Sequence, residues 1–191
     1  MQFIESEYNE TLEIKKSKFI THITSYDKFD QMMQTLKAKH PKARHFVYAY
    51  RYLNEFNQIV ENSSDDGEPK GTSGKPSLSV LSGANIINTG VIIVRYFGGI
   101  RLGTGGLVKA YSDAVNLVLK CSELKNYVKL KSKKLYLEYP QLSQIEYLLS
   151  QHEINIIDKE FTDKICLRLE ASEEVFNEFS EKLFRNNYLE D

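Results

Sequence analysis

Val91-Ile92-Ile93-Val94-Arg95-Tyr96-Phe97-Gly98-Gly99-Ile100-Arg101-Leu102-Gly103-Thr104-Gly105-Gly106-Leu107-Val108 is the stretch on which the fold turns. Its first four residues form a continuous β-branched run, expected of a central strand or one covered on both faces. The glycines then break the strand. From Gly105 or Gly106 an amphipathic helix is expected, with Leu107, Val108, Tyr111, Ala114, Val115 and Val118 on its buried side. A strand leading through a glycine loop into a helix presents free backbone amides and the positive end of the helix dipole. Arg95, Arg101 and Lys109 add cations, and residues 95–107 contain no acid. Phosphate or a nucleic-acid backbone suits that arrangement, with Lys75, Arg95, Gly98, Gly99, Arg101, Gly103, Gly105, Gly106 and Lys109 as candidate phosphate-binding residues. A purely structural reading stands beside it, in which the glycines only make a tight turn and let helix and sheet approach closely.

A second polar stretch lies upstream: Ser64-Asp65-Asp66-Gly67-Glu68-Pro69-Lys70-Gly71-Thr72-Ser73-Gly74-Lys75-Pro76. Asp65, Asp66 and Glu68 are candidate ligands of a divalent cation, or a carboxylate acid/base pair, with His45 as a further acid/base candidate. The bland alternative is an Asx-type turn with solvated acids. Neither stretch is a standard nucleotide loop. Pro76 follows Gly74-Lys75 where a P-loop needs Ser or Thr, and Val108 stands where the dinucleotide pattern needs its third glycine. No G-x-S-x-G elbow and no His pair at zinc spacing occurs, and Cys121 and Cys166 fit no metal or disulfide pattern. No confident catalytic set, metal or cofactor emerges.

Elsewhere the pattern reads as strands over 11–15, 18–23 and 44–53, and a helix over 27–39 that buries Phe29, Met32, Met33 and Leu36, with Asp27 as N-cap. Residues 62–77 read as a long loop, and Pro76 suits the first turn of a short helix. On the 44–53 strand, Phe46, Tyr48, Tyr50 and Tyr52 share one face and Val47, Ala49 and Arg51 the other. The aromatic face is either core or a platform for stacking bases.

The chain of 191 residues has a net charge of −1, which excludes a uniformly basic nucleic-acid coat. The charge is divided unevenly. Residues 1–126 hold 16 Lys and Arg against 13 Asp and Glu; residues 127–191 hold 9 against 13. The second segment also lacks glycine. Two domains are therefore expected, 1–126 and 127–191. The second reads as a strand over 134–139, a helix carrying Leu142, Ile145, Leu148 and Leu149, strands over 154–160 and 164–170, and a helix from Glu173. That β-α-β-β-α order is ferredoxin-like without a clear last strand. The acidic start, with no apolar signal region and no membrane-length apolar run, leads us to expect a cytoplasmic protein.

At these residues the sequence resembles the IMPACT family in its bacterial, YigZ-type form. The resemblance is carried by Asp65-Asp66-Gly67-Glu68-Pro69, Gly71-Thr72, Gly74-Lys75-Pro76, Val94 to Gly103, Gly105-Gly106-Leu107-Val108 and Ala110-Tyr111. Ala43-Arg44-His45, Ala49-Tyr50-Arg51 and Lys16-Ser17-Lys18-Phe19-Ile20 add to it. It implies an α+β fold: a ribosomal protein S5 domain-2-like first domain, then a small ferredoxin-like second domain. It also implies a role in translation, since eukaryotic relatives regulate translation through the amino-acid-starvation pathway, using a further domain absent here. The leading expectation is a non-enzymatic RNA- or ribosome-binding protein. An enzyme acting on a small phosphorylated or nucleotide-like ligand through the Asp65-Asp66-Gly67-Glu68 loop and a divalent metal is one alternative. A regulator whose second domain binds a protein partner is another.

Overall fold

The computed structural model describes residues 1–183, 187 and 189–190. By its internal contacts the chain divides into two units, Met1–Tyr127 and from Val128 onward.

The first unit is built on β6 (Thr89–Tyr96), whose residues from Thr89 to Arg95 are all buried. Around it lie β2 (Tyr8–Ile14), β3 (Ser17–Ser25), β4 (His45–Leu53) and β5 (Ile59–Ser64), in the order β2-β3-β6-β4-β5 with every pair antiparallel. The central position explains the unbroken β-branched run, because helices cover both faces. On one face, α2 (Gly74–Gly83) and α3 (Gly103–Cys121) pack over Val47, Ala49, Val91 and Ile93. On the other, α1 (Phe29–Lys39) packs over Phe46, Ile92 and Val94. Short strands β1 (Gln2–Phe3) and β7 (Lys125–Asn126) pair with each other at the unit's ends.

Several expectations are corrected. Asp27 does not cap α1; it lies in a 3-10 turn (Tyr26–Lys28), and Lys28 occupies the cap position without a side-chain hydrogen bond. The loop expected from residue 62 begins three residues later, because Ile59–Ser64 pairs with β4 as an edge strand. Helix α3 starts at Gly103, ahead of Gly105, and Val108 points outward, 39% exposed. The aromatic face of β4 is no open platform. Phe46 is buried, Phe29 packs edge-on against Tyr48 and Tyr50, and Tyr26 stacks on Tyr52 at 4.0 Å between ring centroids.

The second unit contains β8 (Leu130–Leu137), α4 (Leu142–Gln151), β9 (Asn155–Phe161), β10 (Ile165–Ser172), α5 (Glu173–Ser180) and β11 (Leu189–Glu190). The last strand, not legible in the sequence, is present and pairs with β8, and β8 itself starts four residues earlier than expected. The sheet order β11-β8-β10-β9, all antiparallel, is that of a β-α-β-β-α-β ferredoxin-like unit. Ile145 and Leu149 of α4 and Phe176 and Phe179 of α5 share one core with Leu135, Leu167 and Leu169. Strand residues alternate across the sheet, so Lys134, Tyr136, Arg168 and Glu170 occupy the opposite face. That face is polar and of mixed charge.

Candidate functional site

The two glycine-rich stretches meet at the end of β6. Antiparallel pairing of β4 with β6 sets His45 opposite Arg95, and pairing of β3 with β6 sets Phe19 opposite Arg95. The Arg95 guanidinium is buried over the Phe19 ring, 5.3 Å from its centroid. A buried cation needs a partner, and Glu68 from the acidic loop supplies it as a buried ion pair. The Tyr111 hydroxyl of α3 donates to the same carboxylate oxygen at 3.0 Å. Burial first, then the adjacent Glu68 charge, pushes the Tyr111 hydroxyl far above the ordinary tyrosine range. His45 Nε2 lies 4.0 Å from Glu68 Oε1. Its Nδ1 is 2.8 Å from the Asp66 carbonyl, which assigns the proton to Nδ1 and fixes the ring.

The other two acids are also engaged within the protein. Asp66 Oδ2 accepts the Phe46 amide at 2.6 Å. Asp65 accepts the amides of Gly71 at 2.7 Å, Ser73 at 3.1 Å and Gly74 at 2.8 Å, and the Ser73 hydroxyl at 2.7 Å. Burial alone would raise the Asp65 carboxyl, but these donations outweigh it and hold it below the ordinary carboxylate range. The carboxylate thus fills the N-terminus of α2. Asp65, Asp66 and Glu68 therefore point to three different sets of partners. Among the described residues no group of three metal-ligating side chains is assembled. The internal bonds of these acids favour a loop-shaping role over the divalent-metal and carboxylate-pair readings.

The basic residues divide differently from expectation. Arg95 is neutralised by Glu68, and Lys109 pairs with Asp113 one turn along α3 at 3.0 Å. Lys75 is exposed on the first turn of α2. Gly98 serves packing: a Cβ there would overlap the backbone of Lys16 and Ser17 in the β2–β3 turn, and its amide donates to Ser17 Oγ at 3.1 Å. Gly106 lies against Leu102, whereas a Cβ at Gly105 would meet nothing. Gly99 and Gly103 hold positive φ angles of 88° and 73° and mark the loop's turns. Among the candidates, Arg95, Arg101 and Gly103 line one concavity of about 370 Å³ together with Pro69, Leu102 and Leu107. No acid lies in the first turn of α3, and no side chain of the described residues caps it.

Three residues of the site were given no site role from the sequence. Lys42 and Arg44, in the connection before β4, line a second concavity of about 330 Å³ with His45, Arg95, Tyr96 and Phe97. Phe97, 58% exposed, borders both concavities. The signal available was Lys42, Arg44 and His45 placed just before an aromatic strand.

Fold and site together define a two-unit α+β protein with a basic, aromatic-edged recess at the end of its central strand. Residues 15–119 match the Impact N-terminal domain, and residues 135–185 match a domain of unknown function (DUF1949). The chain is similar to IMPACT family member YigZ of Escherichia coli (strain K12), 40% identical over 174 residues, covering 90% of this chain and 85% of that one. It is also similar to an IMPACT family member of Haemophilus influenzae, 38% identical over 174 residues, covering 90% and 84%. A crystal structure of a hypothetical protein aligns with it at a TM-score of 0.70 and 36% identity, covering 99% of this chain and 95% of that one. The chain belongs to the IMPACT family. Among the described residues no helix is long and apolar enough to cross a membrane.

Proposed function

We propose that the protein binds RNA or the ribosome through the recess at the end of β6 and acts in the control of translation by binding rather than by catalysis. The observation that carries this reading is the exposed Phe97 ring flanked by Lys42, Arg44 and Arg101, none of which is ion-paired to a described residue. Surface cations supply affinity for phosphates and an exposed ring supplies a surface for bases. The uncapped N-terminus of α3 adds backbone donors of the right polarity. Family membership supports translation as the process. Because Arg95 is consumed by Glu68, its part is to shape the recess, and Arg44 and Arg101 carry the phosphate contacts.

Co-sedimentation with ribosomes at low and high salt tests this, beside an Arg44→Ala/Arg101→Ala variant. Pelleting at low salt that falls steeply as salt rises, and is lost in the variant, is expected from counterion release. Absence of pelleting at every salt concentration, or undiminished pelleting of the variant, overturns it.

A further inference from the structure

Phe97 is a large apolar side chain left in water at the end of the central strand. Strand β6 buries seven residues in succession, and the chain then exposes a phenylalanine two places beyond the last of them. The two concavities that it borders differ in chemistry. One is walled by Lys42, Arg44, His45 and Arg95, with no acid in its lining. The other has an apolar wall of Pro69, Leu102 and Leu107, with Arg101, Gly103 and Thr104 at the start of α3; its one acid, Glu68, is already paired with Arg95. Arg95 and Phe97 belong to both.

A second observation concerns Arg95, which with Phe97 lines both concavities. Arg95 is 6% exposed, and its Nε is buried with no hydrogen-bond partner, although the same guanidinium satisfies Glu68 through another nitrogen. That Nε is shut off from solvent, so Arg95 serves as a shared wall of the two concavities and Phe97 as their exposed edge.

We propose that the two concavities form one site for a nucleoside phosphate unit. The phosphate sits between Lys42 and Arg44, and the base enters the apolar concavity with the Phe97 ring as its stacking wall. Each concavity is near the lower end of the size range of small-ligand sites, roughly 300–1,000 Å³. A base that is paired and stacked inside a duplex cannot enter such a space, whereas an unpaired one can be splayed out and stacked on an aromatic ring. The ligand is thus a free nucleotide or one nucleotide of a single strand. The inference deepens the RNA-binding reading and rests on it only for the second source.

The test measures binding of the full chain to a labelled eight-nucleotide RNA, to the same RNA annealed to its complement, and to adenosine monophosphate. Wild type is compared with Phe97→Leu, Phe97→Trp and Lys42→Ala/Arg44→Ala. We expect the single strand to bind at least about tenfold more tightly than the duplex, Phe97→Leu to lose about tenfold, and Phe97→Trp to retain affinity. The double variant should flatten the salt dependence by between one and two counterions. All three positions are exposed, so folding is not at stake for the double variant even if Phe97→Leu proves unstable. Equal binding by wild type and Phe97→Leu, or equal affinity for single strand and duplex, overturns the site while leaving RNA binding standing. An unchanged salt slope in the double variant overturns the phosphate seat. Binding of adenosine monophosphate that Phe97→Leu abolishes, with no RNA bound, sustains the site and overturns the RNA reading. Failure of both probes overturns both.

Discussion

Helices α2 and α3 both begin in glycine-rich loops on the same face of one sheet, and both offer unsatisfied amides to an anion. The chain treats them in opposite ways. At α2 it supplies the anion itself: Asp65 reaches across eight or nine residues to take the amides of Ser73 and Gly74. At α3 there is no acid in the first turn and, among the described residues, no side-chain cap, and Arg101 stands two residues before it. The carboxylates of the acidic loop are all engaged within the protein, and the basic loop faces outward. Residue type alone suggested chemistry for both loops. Saturation of hydrogen-bonding partners separates them, since a carboxylate with three or four donors has little capacity left for a metal or a proton-transfer role.

The hardest test of that contrast is Glu68→Ala. If the acidic loop is structural, the variant leaves Arg95 buried without its counter-charge and deprives Tyr111 of its acceptor. A loss of about 3–5 kcal/mol is expected for a buried pair broken on one side. Urea unfolding monitored on the full chain would measure it, and the second unit provides a transition that the variant should leave in place. A variant as stable as wild type would return Glu68 to the functional candidates. Gly98→Ala comes next. It sets a methyl group against the backbone of Lys16 and Ser17, where no flexible side chain can yield, and should cost about 1–3 kcal/mol by overpacking.

Much of this architecture was legible before the structure. The unbroken run at Val91–Val94 marked the central strand, and the 3.6-residue stripes of Phe29, Met32 and Leu36 and of Leu107, Tyr111 and Ala114 marked helices. Strand β5 escaped because an edge strand half in solvent carries no apolar alternation; only its register with β4 defines it. Strand β11 escaped because two residues are too few to show any period. At the site, the motif residues were found but their roles were not. Arg95 and Glu68 are 27 positions apart, and only the antiparallel pairing that sets Arg95 beside His45 reveals that they neutralise each other. Lys42 belongs to no motif and Arg44 only to the Ala43-Arg44-His45 resemblance; both matter because that pairing delivers them to Phe97.

Asp65→Ala should cost less than either change above, about 1–2 kcal/mol, the range for loss of a helix N-cap. Its pH signature is more telling than its size. The folded-state pKa of Asp65 is held below its unfolded value, so its contribution to stability is complete above about pH 4 and is lost as pH falls through the folded value. Unfolding curves of wild type and Asp65→Asn should therefore converge in acid. Curves that stay parallel down to pH 2 would mean that Asp65 is not the internal anion of α2.

The smallest expected change in stability separates the loops most sharply. At Gly105 an added Cβ meets nothing within 4 Å, unlike at Gly98 earlier in the same glycine-rich stretch. Gly105 lies in the first turn of α3 at an ordinary helical φ, so Gly105→Ala should be neutral or stabilising by up to about 1 kcal/mol, the difference in helix propensity. Nothing in the protein then accounts for a glycine at this position. A methyl group there projects from an exposed helix start beside Gly103 and Thr104, which line the concavity assigned to the base. The variant should therefore fold as well as wild type or better and yet bind single-stranded RNA more weakly, a combination no structural role for Gly105 produces. Undiminished binding would remove the first turn of α3 from the interface and confine it to Phe97 and the Lys42–Arg44 side.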